Sequence, residues 1–236
     1  MASLHQSDGG QSTSSELRTT TAPANQQPPD VDYRQEVRFA VVMYGGVSLA
    51  IYINGVAQEM LRWVRSTAKS ADPAVALLSN NVSTSAAAES ELSLSGTERV
   101  YRKLSYILAS GDTGKKKPAA DLLAHADKKL ANNETIRTRF VVDIVSGTSA
   151  GGINGIFLGK ALANGQDIRD LENLWVKEGD VRTLINDKKS VEGPVLLQDP
   201  PASLLNSHRM YFELLKAFDG MEKTNSVPFV DELDLY

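Results

Sequence analysis

The chain has no cysteine among its 236 residues. Disulfides and thiolate metal sites are therefore excluded, while the redox compartment stays open and a cytosolic protein is compatible. With only 3 histidines there is no visible ligand set for a metal. A formal net charge of −4 without a basic stripe argues against nucleic acid as the main partner. The short run Lys115-Lys116-Lys117, between Gly114 and Pro118, reads as a solvated loop. No apolar stretch reaches the roughly 20 residues that a spanning helix needs. The longest, Phe39 to Ile53, is interrupted at Gly45-Gly46. The N-terminal residues are Ser, Thr, Gln, Asn and Pro with no apolar centre, so no secretory signal is visible. These absences point to a cytoplasmic or peripheral membrane protein. No motif calls for a cofactor: the glycines from Gly147 to Gly152 lack the lysine of a phosphate-binding P-loop.

What is present is globular. Hydrophobic residues make up 42% of the chain, enough for one domain with flexible extras. Residues 1–35 read as a disordered tail and 36–236 as the folded part. Arg38 to Met43 is a buried strand by its apolar, β-branched content. Gly45-Gly46 breaks it. Ser48 is expected to cap a helix running to about Arg65, with Ile51, Val56, Met60 and Trp63 forming its apolar face. Residues 67–95 and 111–118 are expected to be mobile loops. Between them Thr97 to Ala109 reads as a helix facing inward with Val100, Leu104, Ile107 and Leu108. Another helix covers about 119–131, followed by a strand at 139–145. Residues Asp167 to Lys177 are amphipathic, with Ile168, Leu171, Leu174 and Trp175 inward. Leu184 to Asp199 is irregular. Ser203 to Phe218 is helical, with Gly220 placed as its C-cap, and Val230 to Tyr236 alternates as a strand does. Strands alternating with helices imply a mainly parallel sheet with right-handed crossovers.

The chemistry centres on Gly147-Thr148-Ser149-Ala150-Gly151. It follows the apolar run Phe140 to Val145 and precedes the helix-like Gly152 to Ala163. Strand, Gly-x-Ser-x-Gly and helix form the nucleophile elbow of serine acyl hydrolases. Ser149 is the candidate nucleophile. The helix N-terminus supplies N–H groups and a positive dipole near its oxygen, with Ala150 the first donor. Gly45-Gly46-Val47 sits at the C-terminal end of the first strand. A parallel sheet brings that turn to the same edge as Ser149, where its bare N–H groups suit a developing oxyanion.

Together these motifs resemble the patatin-like phospholipase family. The resemblance rests on the N-terminal strand, the Gly-Gly turn, the helix, and Gly147-Thr-Ser-Ala-Gly-Gly-Ile-Asn-Gly155. Tyr44 to Val56 and Asp170 to Trp175, with Gly179-Asp180 after them, further resemble a bacterial patatin-related subgroup. The resemblance covers about Val37 to Tyr236. It implies a three-layer α/β/α sandwich and hydrolysis of acyl esters in lipids, with peripheral membrane contact. It also implies a Ser-Asp dyad, with Ser149 as nucleophile and Gly45 and Gly46 in the oxyanion loop. Two departures stand out. Tyr44 occupies a glycine position of the family's loop, and Ser48 occupies its basic position. The family's aspartate lies in an Asp-Gly-Gly or Asp-Gly-Ala motif, whereas the one Asp-Gly after Ser149 is Asp219-Gly220, read here as a helix end. The dyad aspartate is thus expected outside this chain, and Asp180, Asp187 and Asp199 have no motif support.

Two alternatives stay open. His208, with Asp187 or Asp199, would complete a Ser-His-Asp order, although it falls on a predicted helix. His125 precedes the serine in a polar helix and reads as surface. The other alternative is a lipid-binding or regulatory module without catalysis.

Overall fold

Residues 35–72, 94–111, 117–187, 203–221 and 227–236 are described by the structure, a computed structural model. The expected tail up to residue 34, most of the two expected loops, Lys115-Lys116 and Asp199 lie outside these residues.

Three parallel strands form a sheet in the order β1-β2-β3: β1 (Gln35–Met43), β2 (Thr138–Gly147) and β3 (Asp234–Leu235). The first strand starts at Gln35, inside the expected tail, because its backbone N–H donates to Arg137 O at 3.2 Å. The register between β1 and β2 is regular up to Phe39↔Val142. It then skips Asp143 and resumes at Ala40↔Ile144, ending at Met43↔Gly147. At the far side Tyr236 N donates to Val145 O and Gly147 N to Tyr236 O. All three strands therefore finish at one edge.

Helices α1 (Ala50–Ser66), α2 (Gly96–Ala109) and α3 (Ala119–Ala131) connect β1 to β2. Helix α4 (Ala150–Asn164) leaves β2 directly. A helical turn at Leu171–Asn173 then widens into a π-helical turn at Leu174–Glu178. Helix α5 (Ser207–Gly220) is the last among the described residues.

Several elements differ from the reading by pattern. Ser48 does not cap α1; it lies within a 3-10 turn, Val47–Leu49, and the N-cap residue is Leu49. The buried line of α1 is Ala50, Asn54, Ala57, Leu61 and Val64, whereas Ile51 and Val56 are exposed. The reason is the neighbour: α1 packs on α4, where Asn154 accepts from Asn54 and donates to Ala50 O, so the line Ala50, Asn54 and Ala57 turns toward that helix. On α2 the expected Val100 and Leu104 are exposed, and Glu98, Arg102, Ser105 and Tyr106 are buried. These polar groups are all satisfied. Arg102 donates to Ser66 O at 2.5 Å and Ala71 O at 2.9 Å, and Glu98 pairs with Arg65. Ser95 opens α2 with a capping box, accepting from Glu98 N while Glu98 accepts from Ser95 N at 2.6 Å. Helix α5 begins later than expected, because Asn206 caps it by accepting from Arg209 N at 3.0 Å. It ends on Gly220 as its last residue, with Met221 in right-handed conformation at the cap.

The main core joins β1, β2, α1, α4 and the turns that follow α4, while a second, smaller cluster of Tyr106, Ala126 and Leu130 joins α2 to α3. Val41, Val145, Leu158 and Val64 are fully or nearly fully buried within the main core, and so are Ile168, Leu171, Leu174 and Trp175, as expected. Trp63 packs on Phe39 at 4.3 Å and Phe140 at 4.9 Å between ring centres, tying α1 to both long strands. Phe157 stacks on Phe218 at 4.2 Å, which docks α5 on α4.

Candidate active site

Strand β2 runs straight into the elbow. Ser149 has φ 53° and ψ −126°, one of two non-glycine residues with positive φ among those described. An L-residue in that region is strained by about 1–3 kcal/mol. The strain is held by bonds on either side: Thr148 N donates to Met43 O at 3.2 Å, Gly151 N to Thr148 O at 2.9 Å, and Ile153 N to Ser149 O at 3.0 Å. Ser149 is exposed as a result, at the N-terminus of α4.

The second expected half, the Gly45-Gly46-Val47 turn, lies against it. A Cβ on Gly45 would sit 2.5 Å from Thr148 O and 2.6 Å from the Ser149 Cβ. Only glycine permits that approach. A Cβ on Gly151 would meet Met43 O at 2.2 Å, so the elbow also requires glycine where it passes the end of β1. Gly45 N donates to Thr148 Oγ1 at 3.3 Å, a side-chain bond across 103 residues of sequence. That bond uses the Gly45 N–H. Among the described residues, the backbone N–H groups of Gly46, Val47 and Ala150 have no hydrogen-bond acceptor; Gly46 and Val47 follow Gly45 in the turn, and Ala150 follows Ser149.

Behind the two halves lies a buried amide network that the sequence reading passed over. Asn154, fully buried on α4, donates to Ala150 O at 2.9 Å and Ala50 O at 3.3 Å. Its oxygen accepts from Asn54 Nδ2 at 3.2 Å and from Trp175 Nε1 at 3.1 Å. Gln58 Nε2 donates to the Asn54 oxygen at 2.8 Å. The available signal was a single asparagine inside the otherwise apolar first half of a helix.

No protein-family model and no solved structure matches the chain. It is similar to the Uncharacterized membrane protein Rv3479 of Mycobacterium tuberculosis, with 30% identity over 163 residues. The match covers 69% of this chain and 12% of that protein, so the chain spans a small part of its relative's length.

None of the acid–base candidates among the described residues hydrogen-bonds to Ser149, and Asp199 lies outside those residues. His208 is exposed on the first turn of α5, and His125 is exposed on α3. Asp219 lies in the last turn of α5, exposed. Asp180 accepts from Arg182 N at 2.8 Å, a local turn contact. Asp187 follows an isolated bridge between Ile185 and Leu205. Among the described residues, no side chain hydrogen-bonds to the Ser149 hydroxyl. No group of acidic or histidine side chains able to hold a metal occurs among them either.

Apolar surface adjoins the glycine turn. Tyr44 is 78% exposed and Tyr52 71%, with Leu49 and Ile51 also exposed between them. An open groove of about 510 Å³ starts at Tyr52 and runs along α1 past Val56, Met60 and Trp63 to Tyr101 and Leu104 of α2. No helix among the described residues is long and apolar enough to cross a membrane.

Proposed function

We propose that this chain carries the nucleophile half of a patatin-like serine acyl hydrolase acting on lipid esters. The observation that supports this best is the convergence of two remote segments: a strained, exposed Ser149 and a glycine turn whose backbone lies against it. In this reading Ser149 Oγ attacks the ester carbonyl carbon while its proton passes to an aspartate. The oxyanion is held by Gly46, Val47 and Ala150 N–H groups, and Gly45 keeps the turn seated on Thr148. The C–O bond of the ester then breaks and the alcohol leaves with the proton. Water, activated by the same aspartate, hydrolyses the acyl-serine. We place the aspartate outside this chain, since Asp219 closes a helix. No imidazolium forms, so no histidine is needed.

The full domain is then a three-layer α/β/α sandwich. In support, parallel sheets are covered on both faces, and Val42 and Ile144, which share one face here, are 60% and 39% exposed. The apolar groove along α1 and the exposed Tyr44 and Tyr52 suit an acyl substrate presented at a membrane surface. The relative's name, a membrane protein, is compatible with that contact. A second reading, a lipid-binding module without catalysis, is favoured by the lack of any side chain bonded to the Ser149 hydroxyl among the described residues.

An alkyl fluorophosphonate separates the two. In the full natural chain it labels the wild type and not Ser149→Ala. Equal labelling of both overturns the assignment of Ser149, and no labelling of either favours the binding module.

A further inference from the structure

We infer that Asn154 is the positioning residue that sets the gap between Ser149 and its oxyanion donors. The inference rests on the reading of Ser149 as nucleophile. A primary amide offers two donor hydrogens and two acceptor lone pairs, and Asn154 uses all of them, to Ala50 O, Ala150 O, Asn54 and Trp175. It does so while fully buried. Asparagine is a poorer helix former than alanine, and a buried amide is costly wherever a bond is missing. The position is therefore a demanding one for this side chain, and a plain helix contact does not require it.

The two carbonyls it bridges locate its role. Ala50 is the first residue of α1, directly after the turn that carries Gly46 and Val47. Ala150 is the first residue of α4, directly after Ser149. The amide thus straps together the starts of the two helices that follow the two halves of the site. Apolar contacts would hold α1 against α4 as firmly, but they do not fix distance or direction. Hydrogen bonds do, within a few tenths of an ångström. An oxyanion hole needs that tolerance, because its donors act at about 2.7–3.1 Å from the charge. Trp175 reaches the amide from the π-helical turn Leu174–Glu178, the kind of irregular turn often found at functional sites.

The test uses the full natural chain and three substitutions. Asn154→Leu removes all four bonds at similar volume. Asn154→Asp keeps the acceptor and loses the donors. Trp175→Phe removes one donor and keeps the packing. Fluorophosphonate titration counts reactive sites, and the labelling rate, kcat and KM on a short-chain ester are expressed per titrated site. The labelling rate and kcat per site are expected to fall about tenfold or more in Asn154→Leu and about threefold in Trp175→Phe, with KM within about twofold. Asn154→Asp is expected to fall between them. Loss of stability or of reactive sites, with per-site rates within about twofold of wild type, overturns the inference and leaves Asn154 a purely structural residue. If Asn154→Leu does not fold, the per-site rate of Trp175→Phe decides. Ser149→Ala is the separate control: if it labels like wild type, the nucleophile reading fails first and this inference falls with it.

Discussion

Replacing Gly45 by alanine tests the contact on which the site is built. Gly45 does not have positive φ, so alanine can adopt its backbone conformation, and any effect comes from the added methyl group. That methyl would lie 2.5 Å from Thr148 O and 2.6 Å from Ser149 Cβ. Comfortable carbon contacts lie at about 3.5–4.0 Å, so the turn must withdraw from the elbow by about 1 Å. Both colliding atoms belong to the backbone or the root of a side chain, and neither can swing aside. Overpacking of this kind costs about 1–3 kcal/mol of stability. The effect on reactivity is larger, because a misplacement of about 1 Å between reacting group and donors lowers rate by roughly 10²-fold. The assay is the fluorophosphonate labelling rate of the full natural chain, with urea unfolding in parallel. Gly45→Ala is expected to label roughly 10²-fold more slowly while losing 1–3 kcal/mol at most. Labelling at the wild-type rate would refute the claim that Gly46 and Val47 act on the charge formed at Ser149.

Gly55→Ala, in the middle of α1 with nothing within 4 Å of the new methyl, is expected to stabilise the protein by about 0.5–1 kcal/mol in the same unfolding assay. Ser149→Gly relieves the positive φ and is expected to be more stable than Ser149→Ala by about 1 kcal/mol, both being unreactive to the probe. Glu98 gives a pH signature. Burial pushes its carboxyl up, but the Arg65 guanidinium and the Ser95 N–H outweigh burial and hold it below its ordinary value of 4.5. Its contribution is therefore present in full above that value and lost as pH falls through the lower folded value. Glu98→Gln is expected to cost about 1–3 kcal/mol at pH 7, and the gap from wild type, followed by urea unfolding against pH, should close below pH 4.5. A constant gap from pH 7 to pH 3 would show that the charge is not what matters.

Much of the backbone plan was legible because it depends on local signals. The apolar runs gave β1 and β2, and Gly-x-Ser-x-Gly between strand and helix located the elbow and the start of α4. Side-chain burial was less legible. Ile51 and Val56 looked like a core face, but α1 turns Ala50, Asn54 and Ala57 inward, with Ala50 O and Asn54 bonded to Asn154 of α4, and no periodicity within α1 reports what its neighbour is made of. Charged side chains are usually exterior, yet Arg102 is buried on Ser66 O and Ala71 O, and Glu98 on Arg65, partners that only the fold brings to them. The capping box Ser95-Gly-Thr-Glu98 was readable and would have placed the start of α2 correctly. Asn154 was visible as a letter in the motif, but its role depends on Ala50 and Trp175, which only the fold brings to it. The meeting of Gly45 with Thr148 followed from topology alone, since parallel strands deliver their C-terminal ends to one edge.

The skipped residue at Asp143 has a metrical consequence. Up to Phe39, each residue of β1 faces the residue 103 places later; from Ala40 onward the offset is 104. Were Asp143 paired with Ala40 in a regular register, Met43 would face Ser146 and Gly147 would stand one step farther out, about 3.3 Å beyond the end of β1. The irregularity draws the serine back by that step, level with the glycine turn. The span between Ser149 and the Gly45-Gly46 turn is thus gauged in mid-sheet, four residues before Gly147, and the loops at the edge inherit it. A change of register there would shift Ser149 relative to the Gly45-Gly46 turn without touching either.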